Sequence, residues 1–209
     1  MITPAMSETQ KTVLHVGCGA NRLAQLPKYF HGHREIRLDL DPGAKPDILA
    51  SITDMKPVAS ASVDAVFSSH NLEHVFLHEI PLALAEFRRV LKPGGVCMVL
   101  VPDMQQAAAL VAQGRLHDTL YQSPAGPITP FDMIFGHAAS VRNYPLMAHK
   151  SGFTSKSLQQ AMLAHFPHVV TATDTRHNVI GIGFADTLKS EEGIERFKAI
   201  TGAREVAKA

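Results

Sequence analysis

Two segments of the 209-residue chain combine residue types that could bind a ligand or do chemistry. The first is Gly17-Cys18-Gly19, which ends an apolar run that begins at Thr12. Glycine can adopt positive φ and lets the backbone approach a ligand closely. Asp39 follows the next apolar run, where an acid can bind the two hydroxyls of a ribose at the strand tips. This spacing indicates a nucleoside-containing ligand, although a plain tight turn also explains the glycines.

Of two phosphate-binding motifs considered at that turn, the dinucleotide fingerprint is only weakly supported and the P-loop is excluded. The dinucleotide fingerprint needs a third glycine at position 22, where the chain has Arg22. The chain also lacks the Gly-x4-Gly-Lys-Ser/Thr pattern of a P-loop.

The second segment is His70-Asn71-Leu72-Glu73-His74, which matches the H-x-x-E-H pattern of some zinc proteases. That pattern needs both histidines on one face of a helix. Here it follows an apolar run directly through Ser68 and Ser69, so a helix is not expected at that point. We therefore predict no metal site.

The overall composition excludes several classes of protein. The chain has 20 Lys and Arg against 19 Asp and Glu, which leaves no basic excess for a broad nucleic-acid or anionic-membrane surface. Its 2 Cys stand far apart, in no disulfide or zinc spacing. No apolar stretch approaches the roughly 18 residues of a spanning helix, and the first residues do not resemble a signal peptide. We expect a cytoplasmic single domain, while the 12 His stay unexplained.

Alternating apolar runs and helical patterns predict an α/β fold built on a parallel sheet. Apolar residues from Ile80 to Leu91 follow helical spacing, and Lys92-Pro93-Gly94-Gly95 should end that helix. Further helices are expected at 103–113 and 154–165. The predicted strands are 12–16, 35–40, 47–50, 63–67, 95–101, 169–173 and 179–185.

Two regions lack a clear periodicity of apolar residues. Residues from about 115 to 152 are rich in Pro, Gly, His and aromatic residues, and their apolar content favours a folded lid or pocket wall inserted after the fifth strand. Residues 190–209 are charged and Ala-rich, which indicates a C-terminal tail with a loose helix that could contact a partner, for instance in a homodimer.

Several segments, taken in order, resemble class I S-adenosylmethionine-dependent methyltransferases. The likeness is greatest to small bacterial proteins with a type 11 methyltransferase domain. The segments are Val13–Asn21, Leu38–Asp41, Val63–Val75, Glu86–Gly95 and, in some members, Met147–Thr154. Many relatives have an acid at position 15, a third glycine at position 21 and an acid at position 51, where this chain has His15, Asn21 and Ser51.

The resemblance implies a Rossmann-like sheet of seven mostly parallel strands, with the last strand antiparallel and placed beside the fifth. It implies S-adenosylmethionine as cofactor and S-adenosylhomocysteine as product. In that analogy Gly17 and Gly19 pass along the methionine part, Asp39 binds the ribose and Leu40 packs on the adenine. The cofactor-binding residues expected are His15, Gly17, Gly19, Asp39, Leu40, Ser51, Ile52, Ser68 and Ser69.

The predicted reaction is direct displacement of the methyl group by a small-molecule acceptor. A hydroxyl, carboxyl or thiol acceptor can need its proton removed, and histidine suits that role near neutral pH. The four candidate catalytic residues are His70, His74, His137 and His149, each of which could instead be structural. A cofactor-binding regulatory protein without turnover and an RNA methyltransferase are the alternatives. The balanced charge counts against the second of these.

Overall fold

The computed structural model describes residues 10–19 and 26–203. Its centre is a seven-stranded sheet with the strand order β3-β2-β1-β4-β5-β9-β8. The strands of that sheet are β1 (Thr12–Val16), β2 (Arg34–Asp39), β3 (Ile48–Leu49), β4 (Val63–Ser69), β5 (Leu91–Pro102), β8 (His168–Thr173) and β9 (Asn178–Phe184). The helices are α1 (Ile80–Val90), α2 (Met104–Ala112), α3 (Pro130–Phe135), α4 (Ala138–Asn143), α5 (Ser155–Leu163) and α6 (Ser190–Thr201).

Strand direction confirms the predicted Rossmann-like architecture. β1 pairs in parallel with β2 and β4, and β4 pairs in parallel with β5. β9 runs antiparallel between β5 and β8, so the last strand is inserted beside the fifth. The strand order reverses between β1 and β4, and ligands bind at such a switch point, outside the carboxyl ends of the strands.

Helix α1 follows from its apolar spacing. Ile80, Ala83, Leu84, Phe87 and Val90 are all buried, and they pack into the core on one face of the sheet. The backbone becomes extended at Leu91, so the helix ends where the Lys-Pro-Gly-Gly segment predicts. A second apolar core lies on the other face of the sheet, and Phe197 and Ile200 of α6 are buried in it. The C-terminal region therefore packs as a regular helix rather than a loose one, as far as Thr201.

The segment after β5 has more regular structure than its sequence predicts. It contains α3, α4 and a hairpin of β6 (Tyr121–Ser123) with β7 (Gly126–Ile128). Its two ends meet, because Asp103 and Phe153 form a parallel β-bridge and the Met104 amide donates to the Phe153 carbonyl at 2.9 Å. These elements are too short to produce a readable period. Within the described residues, no helix combines the length and apolar character required to cross a membrane.

Candidate active site

The glycine turn after β1 is held to the end of β2 by hydrogen bonds. Gly17 and Gly19 have φ values of 62° and 66°, in the left-handed region that favours glycine. The Gly19 amide donates to Asp39 Oδ2 at 2.8 Å, and the Asp41 amide donates to Asp39 Oδ1 at 2.9 Å. An ionised carboxylate has about four lone-pair sites, so Asp39 can still accept from a ribose.

A cavity of about 720 Å³ opens at this edge of the sheet. Gly17, Gly19, Asp39, Leu40, Ser51 and Ile52, all predicted to bind the cofactor, line it. Leu40 is 56% exposed although it is a large apolar side chain, which suits a residue that covers a flat ring. A Cβ added to Gly19 would meet nothing within 4 Å, so the bare backbone faces open space. These residues fit a nucleoside whose ribose lies at Asp39.

Another part of the cavity lining comes from α4 and the turn that follows it. Its lining residues are Ser140, Asn143, Tyr144, Leu146, Met147 and Lys150. None of them is among the catalytic or cofactor-binding residues expected from the sequence. A lone leucine in an aperiodic segment carries no signal that separates a cavity wall from a core.

His70 and His74 reach the cavity from the end of β4. The His70 amide still pairs with Leu100 of β5 at 2.9 Å, but its φ of 49° turns the chain out of the strand. A non-glycine residue in that region carries strain, which is found more often at functional sites. Asn71 lies beside them, and its side chain occupies the space in front of Gly17.

Glu73 is buried to 1% exposure below these histidines. His70 Nδ1 lies 3.5 Å from Glu73 Oε1, which is an ion-pair distance without hydrogen-bond geometry. Burial would raise the pKa of Glu73, but His70, His74 and His149 together lower it below the ordinary value. Burial would likewise lower the pKa of His70, but the Glu73 carboxylate raises it above the ordinary value. The sequence motif contained Glu73, yet nothing in it revealed this burial.

His149 joins this group from the far end of the inserted segment. Its ring centroid lies 5.0 Å from that of His74, and its Nδ1 lies 2.9 Å from the Met133 carbonyl. Burial lowers the pKa of His149 below the ordinary value. His137 lies apart from the cavity lining, with its Nδ1 2.9 Å from Ser140 Oγ at the start of α4. Three of the four candidate histidines, His70, His74 and His149, therefore lie around the Glu73 carboxylate.

Three predicted cofactor contacts are placed outside the cavity lining. His15 is 2% exposed and directed into the second core, where its Nδ1 lies 2.8 Å from Glu35 Oε1 and its ring packs on Phe67. Ser68 is fully buried, and Ser69 is only partly buried. Alternation along a strand explains the placement of His15, since Leu14 and Val16 face the first core. Asn21 and Arg22 lie outside the described residues.

The comparisons with known proteins agree with this architecture. Residues 14–99 match the family model described as "Methyltransferase domain". No curated protein sequence matches the chain significantly.

Solved structures share the fold at low sequence identity. A SAM-dependent methyltransferase from Archaeoglobus fulgidus is 14% identical with a TM-score of 0.55, over 84% of this chain and 86% of that chain. One from Thermotoga maritima, described as a possible histamine N-methyltransferase, is 14% identical with a TM-score of 0.52, over 85% and 84% of the two chains. A protein from Pyrococcus horikoshii OT3 is 12% identical with a TM-score of 0.54, again over 85% and 84%.

The family match begins within β1 and ends within β5, so it includes the glycine turn, Asp39 and the His70–His74 segment. The sheet order around that match is the one expected from the resemblance. The chain therefore has the class I methyltransferase fold, and its residues 14–99 match a methyltransferase domain whose cofactor is S-adenosylmethionine.

Proposed function

We propose that the chain methylates a small-molecule acceptor bound between the cofactor and the α4 wall. The observation that carries this proposal is the cavity of about 720 Å³, which extends from Gly19 and Asp39 to Tyr144 and Lys150. Small-molecule sites usually measure about 300–1,000 Å³, so this volume suits a cofactor and a compact acceptor better than a polymer. The near-zero net charge of +1 supports the same choice.

The protein's contribution to the reaction is mainly alignment. The bound cofactor supplies an electrophilic methyl group on a sulfonium, which needs little further activation. Holding the acceptor in line with that methyl group can lower the barrier by roughly 7–11 kcal/mol. Asp39 and the glycine turn fix the cofactor on one side, while Tyr144 and its neighbours limit the position of the acceptor on the other.

His70 is the proposed general base for an acceptor that must lose a proton. It lines the cavity, and its side chain is 46% exposed, so it can reach a bound hydroxyl or thiol. His74 also lines the cavity, but its Nδ1 is held at 3.2 Å from the Ala148 carbonyl. His70 is therefore the freer of the two.

Transfer of label from methyl-labelled S-adenosylmethionine tests this function. Hydroxyl, carboxyl, thiol and amine acceptors form the panel, with RNA as a polymeric control. We expect transfer to a small acceptor, and His70→Gln should lower kcat by about 10²–10⁴-fold where the acceptor needs a base. His117→Gln is the matched control, since His117 is an exposed histidine outside the cavity lining.

The alternative is a regulatory protein that binds the cofactor without turnover. Its motivation is His15 and Asn21, which stand where many relatives have an acid and a third glycine; the His15 ring is buried and paired with Glu35. Saturable binding of S-adenosylhomocysteine with no transfer to any acceptor would support this alternative over the enzyme. Transfer only to RNA would overturn the small-molecule acceptor while keeping the reaction.

A further inference from the structure

We propose that Glu73, His74 and His149 form a site for a divalent transition-metal cation at the edge of the cavity. Each side chain offers one potential ligand atom, and these atoms all lie within 4.8 Å of one another. Two imidazoles and one carboxylate are suited to zinc, iron(II) or manganese(II). This set differs from the protease-like pattern in the sequence, because it replaces His70 by a histidine 75 residues after His74.

The Glu73 carboxylate is the first argument for this site. Both of its oxygens are buried, and neither has a hydrogen-bond partner among the described residues. Removing a carboxylate from water costs several kcal/mol unless a charge or hydrogen bonds compensate. The imidazole of His70 compensates only in part, because it lies 3.5 Å away and is poorly oriented. A cation bound by Glu73, His74 and His149 would neutralise this charge directly.

The protonation of the two histidines is the second argument. His74 Nδ1 lies 3.2 Å from the Ala148 carbonyl, and His149 Nδ1 lies 2.9 Å from the Met133 carbonyl. A carbonyl oxygen only accepts hydrogen bonds, so Nδ1 must carry the proton in both rings. Each neutral ring therefore keeps a lone pair on Nε2. Metal-binding histidines are usually fixed in this way, by a carbonyl or carboxylate on the other nitrogen.

The backbone around the cluster holds the three ligands in place. The Lys150 and Ser151 amides both donate to the Glu73 carbonyl, at 2.8 and 3.1 Å. The His149 amide donates to Phe135 at 3.2 Å. The end of the inserted segment is thus tied to the turn that carries Glu73 and His74. Such prior positioning lowers the entropic cost of binding a cation.

The cation would act on the acceptor. This role rests on the proposed function, whereas the existence of the metal site does not depend on it. Catalytic sites keep three protein ligands and leave a position for water or substrate. Because His74 also lines the cavity, that position can receive a hydroxyl of the acceptor and make it more acidic. The hydroxyl proton then passes to His70, and the oxygen bonds to the methyl carbon. The carbon–sulfur bond breaks, and its electron pair stays on sulfur.

Metal binding by the full chain tests the site without any methyl acceptor. The chain is dialysed against chelator and titrated calorimetrically with Zn²⁺, Mn²⁺ or Fe²⁺ alone, the last under anaerobic conditions. We expect one equivalent to bind, and Glu73→Gln or His149→Ala to weaken that binding by at least roughly 100-fold. His117→Ala, which alters an exposed histidine of the same segment, should bind like the wild type. Circular dichroism verifies the fold of each variant. Where Glu73→Gln does not fold, the metal affinity of His149→Ala alone tests the site.

Two outcomes separate the site from its role. No binding to the wild-type chain, or unchanged binding by both folded variants, would overturn the site. Co²⁺ spectra give a further check, because a thiolate charge-transfer band would assign the metal to Cys18 and likewise overturn it. Metal binding without methyl transfer would support the site and refute the proposed function. Methyl transfer that persists in the chelated enzyme would overturn the role in acceptor activation.

Discussion

The two walls of the cavity are built in different ways. The cofactor wall consists of backbone turns at the ends of β1, β2 and β3, fixed by hydrogen bonds between neighbouring strands. The proposed acceptor wall consists of side chains from α4 and the following turn, attached to the turn after β4 through the Glu73 carbonyl. The first wall depends on a few residues that tolerate little change. The second depends on side chains that can be exchanged within a fixed backbone frame, so it is the part where specificity can vary.

The largest effect is expected for Gly17→Ala. The new Cβ would clash with the Asn71 side chain, and alanine at positive φ costs about 1–2 kcal/mol even without a clash. We expect a total loss of about 3 kcal/mol in the free energy of unfolding and no measurable binding of S-adenosylhomocysteine. Urea unfolding and calorimetry measure the two quantities.

The matched control for that variant is Gly19→Ala. Gly19 has nearly the same φ, but a Cβ there meets no neighbour, so only about 1–2 kcal/mol of stability should be lost. Adding Asn71→Ala to Gly17→Ala should restore the part of the loss caused by the clash. Equal destabilisation by the two glycine variants would contradict the contact with Asn71.

Asp39→Asn should weaken the cofactor wall without unfolding it. The amide oxygen can keep one backbone bond, but the charge-assisted bond to a ribose is lost. Such bonds contribute about 1.5–3 kcal/mol, so the Kd of S-adenosylhomocysteine should rise roughly 10- to 100-fold in calorimetry. Asp41→Asn serves as the control, because the Asp41 carboxylate accepts from the Gly43 amide in its own turn. If Asp41→Asn raised this Kd more than Asp39→Asn did, the ribose contact would have to be assigned to Asp41 instead.

Tyr144→Ala should affect only the acceptor wall. Loss of an aromatic contact of about 1.5 kcal/mol predicts a roughly 10-fold rise in KM for the acceptor. The Kd of S-adenosylhomocysteine should change much less, since the glycine turn is held by a hydrogen bond from Gly19 to Asp39 in which Tyr144 takes no part. Steady-state kinetics and calorimetry together measure this difference. Parallel losses in both quantities would show that the two walls are not independent.

The smallest effect concerns the pH dependence of stability through His15. Burial lowers its pKa, although Glu35 opposes the shift and Arg37 and Asp39 act in opposite directions. The unfolded chain therefore binds a proton more readily than the native state below about pH 6.5. The contribution of His15 to the free energy of unfolding is therefore fully present above that pH. It falls on acidification, by at most about 1.4 kcal/mol per pH unit. His15→Leu should reduce this slope in urea unfolding between pH 7.5 and 5.5, and an unchanged slope would refute the assignment.

The sequence predicted the cofactor wall more completely than the acceptor wall. Gly17, Gly19 and Asp39 stand at strand ends, and strand ends are readable from apolar runs of five or six residues. The contact between His74 and His149 could not be predicted, because it depends on how the aperiodic insertion folds back onto the turn after β4. The placement of His15 was missed for another reason. The resemblance assigned it to the cofactor, whereas strand alternation directs its side chain into the second core.

The closed ends of the inserted segment have a consequence for evolution. Met104 and Phe153 are hydrogen-bonded to each other, so the chain between them leaves the sheet and returns at one point. A segment with joined ends can be lengthened, shortened or exchanged while the strands on either side keep their register. New acceptors could therefore be acquired by replacing one continuous piece of the gene, with the methyl-donor half of the enzyme inherited intact.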